Sequence, residues 1–247
     1  MASNADSPTA AAKVSLATPD DIPELIHIFW EAFSGPAEST FPQTDDGRAW
    51  LERSFQNFLG KQSYYARRAR CRWCGMPTRS FDSTIPKSST ARTFRSLIYR
   101  SPELQGRVLS FAVTHIVKLG QTVVGNSWKR RWSAAEDLPG VSEERLASYF
   151  ETLAEAHHLT VGNEGHVYIE FLMTKSTSRH KGYATAIVDW ITKLADDLDY
   201  ACYLDGGGRG MGILERAGFV AKDIGHKYND TPPPCVPMLR VKNKRGW

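Results

Sequence analysis

The feature that most constrains the fold is an apolar strand followed by a basic glycine turn and an amphipathic helix. Residues 166–174 read HVYIEFLMT, which predicts a buried strand. Residues 180–198 predict a helix, because apolar residues recur at helical spacing along one side. That buried face comprises Ala184, Ile187, Val188, Ile191, Leu194 and Ala195. The order of strand, turn and helix predicts an α/β protein.

The turn between strand and helix, 179–184, has the chemistry of an anion site. Backbone N–H groups in the first turn of a helix lack partners, and the helix dipole adds positive potential. Phosphate groups bind at such ends. Gly182 lets the backbone approach phosphate oxygens, while Arg179, His180 and Lys181 bring cations. Thr185 adds a hydroxyl donor. The sequence is neither a Walker loop nor a dinucleotide fingerprint.

Other elements are predicted on both sides of this unit from hydrophobic periodicity and turn residues. The predicted helices cover 18–33, 47–59, 142–158 and 210–217. The predicted strands cover 13–17, 111–117, 122–129, 200–204, 219–224 and 237–241. Leu119-Gly120-Gln121 separates two of these strands, so an antiparallel hairpin is expected over 111–129. Asp205 to Gly210 is rich in glycine, which suits either close approach to a ligand or a flexible connection.

Residues 66–107 differ from the rest of the chain. They contain ten Lys or Arg and two acidic residues, although the whole chain carries only +4. No hydrophobic period is sustained, so a basic, low-order insertion is predicted, with a basic surface for an acidic partner as the alternative. The remainder has an acidic surplus, and a nucleic-acid partner is therefore not expected. We expect a flexible tail over 1–12 and a single domain over 13–247.

Cysteine usage and hydropathy bear on the compartment. The N-terminus has no apolar run, and no stretch approaches the length needed to span a bilayer. A cytoplasmic protein that is not bound to a membrane is expected. Cys71 and Cys74 form a lone CxxC without two further ligands at a matching spacing, so no metal is expected.

The turn also resembles that of a known family. R-x-x-G-x-A over 179–184 is similar to the (Q/R)-x-x-G-x-(G/A) turn of the GNAT acyltransferase superfamily. TPDDIPELIHIFWEAF resembles the first helix of such proteins. Residues 126–149 are similar to a stretch of GNAT proteins common in filamentous fungi. The resemblance covers most of the chain outside 66–107. It implies a mixed, mostly antiparallel sheet of six to seven strands, splayed between two central parallel strands and flanked by helices.

The resemblance also implies a function, N-acetyl transfer from acetyl-CoA as co-substrate to a small-molecule amine, directly in a ternary complex. The strand end would hold pantetheine through Leu172, Met173 and Thr174, and the Met173 N–H would polarise the thioester carbonyl. Pyrophosphate would bind at Arg179, His180, Lys181, Gly182, Tyr183, Ala184 and Thr185. A monomer or homodimer is expected.

Proton transfer is where the sequence departs from the family. Glu170 stands in an otherwise apolar strand and is the candidate general base, although it could instead pair with an arginine or face solvent. Leu214 occupies the place where the family often has a tyrosine that reprotonates the CoA thiolate. Water or Tyr203 would have to replace it. A catalytically weak or inactive CoA-binding scaffold of the same fold is the alternative function.

Overall fold

The computed structural model describes residues 13–32, 42–71, 93–100, 108–117, 143–207, 210–224 and 235–242. The helices are α1 (Ile22–Ala32), α2 (Asp45–Cys71), α3 (Glu143–Val161), α4 (Tyr183–Asp197) and α5 (Met211–Arg216). The strands are β1 (Lys13–Leu16), β2 (Thr93–Arg100), β3 (Val108–Val117), β4 (His166–Thr174), β5 (Ala201–Gly206), β6 (Val220–Ala221) and β7 (Val236–Arg240). Short 3-10 turns cover Pro19–Asp21 and Ser176–Ser178.

All described strands join one seven-stranded sheet in the order β1-β2-β3-β4-β5-β7-β6. The pairing of β4 with β5 is parallel, and every other pair is antiparallel. Helix α4 provides the crossover that a parallel pair requires. The predicted fold class, a mixed and mostly antiparallel sheet flanked by helices, is confirmed.

An aromatic cluster holds α1 and α2 against one face of the sheet. Phe29, Phe55 and Phe58 come from the helices, and Phe111 and Phe171 come from β3 and β4. Their rings meet mostly edge to face, with centroids 5.5 Å apart for Phe111 and Phe171. Each such pair contributes about 0.5–1.5 kcal/mol beyond its buried area.

Helix α4 covers the opposite face of the sheet. Ile187, Val188, Ile191 and Ala195 are buried against apolar residues of β3, β4 and β5, as the helical spacing predicts. Ala184 and Leu194, also predicted on this face, are half-buried. The sheet therefore has α1, α2 and α3 on one side and α4 and α5 on the other.

Two boundaries near the basic segment need correction. Helix α2 begins at Asp45, because Thr44 precedes it and its hydroxyl accepts the Gly47 N–H at 3.1 Å. The helix continues to Cys71, beyond the predicted end at 59. Residues 93–100, predicted within a low-order insertion, form β2 between β1 and β3. Backbone pairing on both edges specifies this strand, and the sequence pattern does not reveal it.

The hairpin predicted over 111–129 is also wrong. Strand β3 pairs along one edge with β2 and along the other with β4, so no edge is left for a following strand. Residues 122–129 themselves lie outside the described ranges. A short connection such as 119–121 is typical of a hairpin turn, but β3 pairs with the strand that precedes it, β2, and with the distant β4.

Within the described ranges, no helix combines the length and apolarity needed to cross a bilayer.

Two buried histidines join α3 to the start of β4. His157 Nε2 and His166 Nε2 are 2.6 Å apart, and His166 Nδ1 lies 2.7 Å from the Glu164 carbonyl oxygen. A carbonyl only accepts, so Nδ1–H of His166 donates, and its Nε2 then accepts a hydrogen bond from Nε2–H of His157. The His157 ring also stacks on Tyr168. Burial lowers the pKa of His166, which favours the neutral form of this ring.

This pair predicts a loss of stability in acid. The unfolded chain binds a proton with a pKa near ~6.5, while the folded pKa of His166 is lower. The contribution of His166 to the free energy of unfolding is therefore complete above about pH 6.5, and it is lost as the pH falls through the lower, folded pKa. His166→Gln should cost about 1–3 kcal/mol near neutrality and should flatten this dependence. Urea unfolding followed by circular dichroism between about pH 5 and pH 8 measures both effects.

The exposed neighbour His158 provides the control. His158→Gln should change the unfolding free energy by less than about 0.5 kcal/mol and should leave the pH profile unchanged. Parallel profiles for the wild type and His166→Gln would contradict the assignment of this pH dependence to the buried pair.

Candidate functional site

The parallel pairing of β4 and β5 stops partway along both strands. Ile169 opposite Leu204 is the last pair. Beyond it, β4 continues along β3 as far as Thr174, while β5 continues along β7 as far as Gly206. The two strands therefore separate at their carboxyl ends. Among the described strands, none pairs with the inner side of either strand there, and the backbone groups line a gap that a ligand can fill.

A register irregularity lies at the mouth of this gap. Val113 of β3 is opposite Phe171, whereas the next residue, Thr114, is opposite Ile169. Glu170 is therefore an extra residue on β4, as in a β-bulge. The bulge reverses the alternation of side chains, so that Phe171 joins the aromatic cluster with α1 and α2 although Ile169 packs toward α4. The Glu170 side chain is half-buried, and the residue interacts with at least one other group.

The end of β4 is fixed by a serine on β3. The Ser110 hydroxyl donates to the Met173 carbonyl oxygen at 2.7 Å and lies 2.9 Å from the Thr174 hydroxyl. The Met173 carbonyl therefore lies on the β3 side. The N–H and C=O of one residue in a strand point the same way. The Met173 N–H is thus directed to β3, and the backbones of Leu172 and Thr174 face the gap.

The basic turn follows β4 directly and leads into α4. His180 and Gly182 both have positive φ angles, 62° and 82°, and Gly182 is the N-terminal cap of α4. A Cβ at Gly182 would meet no described atom within 4 Å, so this position needs glycine for its backbone angle and leaves open space outside. Ala186 donates the first intrahelical bond, to the Gly182 carbonyl at 3.0 Å. The N–H groups before it have no intrahelical acceptor.

The structure brings the residues predicted from the sequence to one edge of the sheet. Glu170 and residues 172–174 line the gap, and residues 179–185 continue from it. His180, Lys181 and Gly182 are exposed, whereas Arg179, Tyr183, Ala184 and Thr185 are half-buried. An anion bound at the exposed turn would therefore lie next to a ligand in the gap.

Two carboxylates of α1 anchor the start of the turn. Lys175 Nζ lies 3.0 Å from Glu24 Oε1, and both side chains are largely shielded from solvent. The Ser176 N–H donates to Glu31 Oε2 at 2.7 Å, while His27 lies 3.3 Å from the other oxygen of that carboxylate. The turn is thus tied to a helix on the opposite face of the sheet.

Asp205 stands across the gap from Glu170, one residue beyond the last parallel pair. The Tyr203 hydroxyl donates to Asp205 Oδ1 at 2.6 Å. Asp205 Oδ2 is out of contact with solvent, and no described residue donates to it. The residue as a whole is half-buried, so the shielded part is the carboxyl group. Burial raises the pKa of Asp205 to about 7, and the hydrogen bond from Tyr203 opposes that rise.

Other polar side chains surround Asp205. The Tyr149 side chain of α3 is hydrogen-bonded to the Cys235 thiol. Burial raises the pKa of this tyrosine, and the charges of Cys235, Asp205 and Glu170 raise it further. Burial and the charge of Asp205 raise the pKa of Cys235 to about 11. Burial also raises the pKa of Tyr203. We call Tyr149, Glu170, Tyr203, Asp205 and Cys235 the gap cluster.

Comparison with known proteins shows what this architecture is. No protein-family model matches the sequence, and no curated protein is similar to it. The fold is similar to arylalkylamine N-acetyltransferase 2 of Aedes aegypti, with 14% identity, TM-score 0.58, and coverage of 95% of this chain and 100% of that one. It is also similar to a Corynebacterium glutamicum protein described as histone acetyltransferase HPA2 and related acetyltransferase, with 18% identity, TM-score 0.52, and 96% and 100% coverage. The chain has the GNAT acetyltransferase fold.

Three contacts bear on questions left open by the sequence, namely what could replace the family's tyrosine and what the glycines after Asp205 do. Leu214, at the position of the expected tyrosine, is buried in the apolar cluster beneath α4. Tyr203 is fully buried and bound to Asp205. At Gly206 a Cβ would lie 2.7 Å from Met238 Sδ, so the first glycine after Asp205 allows β7 to pack closely.

Several site residues were not predicted from the sequence. Asp205 was treated as part of a glycine-rich connection, and Tyr149, Cys235, Glu24 and Glu31 were given no role. One signal was available for Asp205. A charged residue that ends a buried strand lies at the same edge as the end of its parallel neighbour. For the others, the contacts join distant segments and no local pattern marks them.

No metal cluster was predicted. The part of the chain that the structure describes contains no group of three or more His, Cys, Asp or Glu side chains that could hold a metal ion. Cys71 ends α2, and Cys74 lies outside the described ranges.

The α1 anchor predicts a local effect on the turn. Glu31→Ala removes the acceptor of the Ser176 N–H. A hydrogen bond to a charged group contributes about 1.5 kcal/mol, so amide exchange over 175–179 should accelerate by roughly tenfold. Hydrogen–deuterium exchange mass spectrometry measures this rate. Glu52→Ala, at an exposed position of α2, is the control and should leave the turn unchanged. Equal protection in both variants would exclude the anchoring role.

Proposed function

We propose that this protein transfers the acetyl group of acetyl-CoA to the amine of a small molecule. The observation that carries the proposal is the gap between β4 and β5, which runs directly into the basic turn and the N-terminus of α4. The comparisons support acetyl transfer in general through the shared fold. An arylalkylamine N-acetyltransferase among the similar structures favours an amine as acceptor.

The cofactor would lie along the edge already described. Its pyrophosphate would bind the turn over 179–185, where backbone N–H groups and cationic side chains meet. Its pantetheine would pair with the inner backbone of 172–174. Because Met173 is directed to β3, we assign polarisation of the thioester carbonyl to the Leu172 N–H in place of the Met173 N–H. The bound cofactor supplies the activated acyl group.

The two described cysteine thiols, Cys202 and Cys235, favour direct transfer in a ternary complex over an acyl-cysteine intermediate. Cys235 lies in the gap cluster, but burial raises its pKa to about 11. Burial also raises the pKa of Cys202 to about 12. A thiol with so high a pKa holds its proton near neutrality and is a poor nucleophile. An acyl-cysteine intermediate is thus disfavoured, and positioning of the two substrates supplies the rate.

The acceptor would approach on the face of α1, α2 and α3, opposite the turn-bearing helix α4. Glu170 lies at the gap on this side, since its charge acts on Tyr149 of α3. Glu170 is the base that the sequence suggests, and we propose it as one of two candidate carboxylates at the gap, the other being Asp205. The Glu170 carboxylate would draw an ammonium into the gap. The CoA thiolate would take its proton from water without help from a side chain, because a thiol with a pKa of ~8.5 is mostly protonated near pH 7.

An inactive CoA-binding scaffold is the second candidate function. It is favoured by Leu214, which leaves no hydroxyl at the place of the family's tyrosine. Both functions require the same cofactor site, and they differ only in turnover. Release of CoA thiol that depends on an added amine would exclude the scaffold.

The cofactor site predicts a selective loss of binding in Gly182→Glu. The new side chain adds negative charge and bulk at the exposed turn, so acetyl-CoA affinity should fall at least about tenfold. Isothermal calorimetry measures the affinity. Gly162→Glu is a matched control, because Gly162 also has a positive φ of 56° and open space around it. It precedes β4, at the end of the strand away from the turn.

The two glycine variants separate strain from ligand binding. Each should lose about 1–2 kcal/mol of stability, since a side chain at positive φ is strained. Only Gly182→Glu should lose acetyl-CoA. If the wild type fails to bind acetyl-CoA, or if both variants bind equally well, the proposed cofactor site is wrong.

A further inference from the structure

The two strands that bound the gap each carry a carboxylate just beyond their last common pair. Ile169 and Leu204 end the parallel register, and Glu170 and Asp205 come next. Glu170 belongs to the bulge of β4, whereas Asp205 stays in register on β7 opposite Pro237. Asp205 is thus held by a regular strand, and its position does not depend on a flexible loop.

The Asp205 carboxyl group is only half satisfied. Oδ1 accepts the Tyr203 hydroxyl at 2.6 Å, and Oδ2 is buried without a donor among the described residues. A carboxylate oxygen in this state is costly unless a donor or a proton is supplied to it. The tyrosine fixes the group in place beside the end of the parallel pairing, and a ligand must displace the atoms that shield Oδ2 before it can donate to it. A cationic N–H donor is the partner that would satisfy it best.

We propose that Asp205 Oδ2 receives the ammonium group of the acceptor and accepts its proton. This inference rests on the proposed acetyl transfer and names the group that activates the acceptor. It moves the role of base from Glu170 to Asp205. Glu170 then contributes negative charge that attracts the cation.

The step balances with the residues present. The ammonium gives one proton to Asp205, which becomes a neutral carboxylic acid, and the free amine attacks the thioester carbonyl carbon. The new C–N bond forms, the C–S bond breaks, and the electron pair leaves on sulfur as thiolate. The nitrogen loses its second proton to water, and the thiolate takes a proton from water. Asp205 releases its own proton to water after the amide product departs.

The surroundings of Asp205 suit this cycle. Tyr203, Tyr149 and Cys235 face it from β5, α3 and the residue before β7, and burial raises the pKa of each, so all three stay neutral near pH 7. Glu170 contributes negative charge to the same cluster. Burial holds the pKa of Asp205 at about 7, where a carboxylate can both take up and release a proton.

The kinetic test uses Asp205→Asn. Asparagine has nearly the same shape and can still accept the Tyr203 hydroxyl, but it cannot take a proton. With acetyl-CoA and n-butylamine, kcat/KM should fall by about 10²–10⁴-fold, and its decline below about pH 7 should disappear. Asp189→Asn, exposed on α4, is the control and should retain wild-type activity and pH profile. Acetyl-CoA affinity should be unchanged in both variants.

Tyr203→Phe tests how Asp205 is held. The hydrogen bond from Tyr203 lowers the carboxyl pKa, so its removal should move the acid limb of the pH profile to higher pH. A change in packing alone would lower activity at every pH without moving that limb. Glu170→Gln should weaken kcat/KM but keep the limb. If Glu170→Gln abolishes the limb and Asp205→Asn keeps it, Glu170 is the base and this inference is wrong.

A second measurement does not require turnover, so it separates this inference from the proposed reaction. Carboxyl carbon resonances of Asp205, identified by their loss in Asp205→Asn, are titrated with n-butylammonium and with the neutral butan-1-ol. The ammonium should lower the titration midpoint of Asp205, and the alcohol should leave it unchanged. If neither compound shifts the midpoint, Asp205 does not receive the cation, whether or not the protein transfers acetyl groups.

Discussion

The end of the β4–β5 pairing is the constraint on which the rest of the site depends. Each of the two parallel strands follows its outer neighbour beyond Ile169 and Leu204. Strand β4 stays on β3, where Ser110 binds the Met173 carbonyl, and β5 stays on β7. Because these outer contacts continue while the inner pairing stops, the strands must diverge. The resulting gap exposes backbone groups of β4 at the same edge where the basic turn begins.

The sheet separates two kinds of chemistry. On the α4 face the residues next to the turn are apolar, and the ion pair of Asp196 with Arg240 lies at the other end of the helix. On the other face, α3 and the start of β7 bring ionisable groups against the gap. Glu24 and Glu31 of α1 link the two faces by holding the first residues of the turn. In the proposed reaction, the cofactor and the acceptor would therefore approach one carbonyl from opposite sides and use different residues.

The sequence predicted the parts of the fold whose causes are local. The strand over 166–174 and the buried face of the following helix are confirmed, because strong periodicity marks both. Strand β2 was missed because its sequence lacks a clear pattern and its second partner, β1, lies far along the chain. The hairpin after β3 was wrong because the second edge of β3 pairs with the distant β4. The same distinction applies to the site. A turn motif marks the residues around Gly182, whereas the gap cluster exists only after β5, α3 and the start of β7 come together.

Leu214 in place of the family's tyrosine should slow the proposed reaction less than replacement of the base would. An aliphatic ammonium with a pKa near ~10.4 must lose its proton before it can attack, and near pH 7 this costs roughly 5 kcal/mol. A thiol with a pKa of ~8.5 is mostly protonated at pH 7, so protonation of the leaving thiolate is favourable. Leu214 is buried toward α4, whereas Asp205 lies on the face of α3. In the proposed reaction, Leu214 therefore replaces a proton donor at the easier step, and Asp205 provides a shielded carboxylate at the step with the larger barrier.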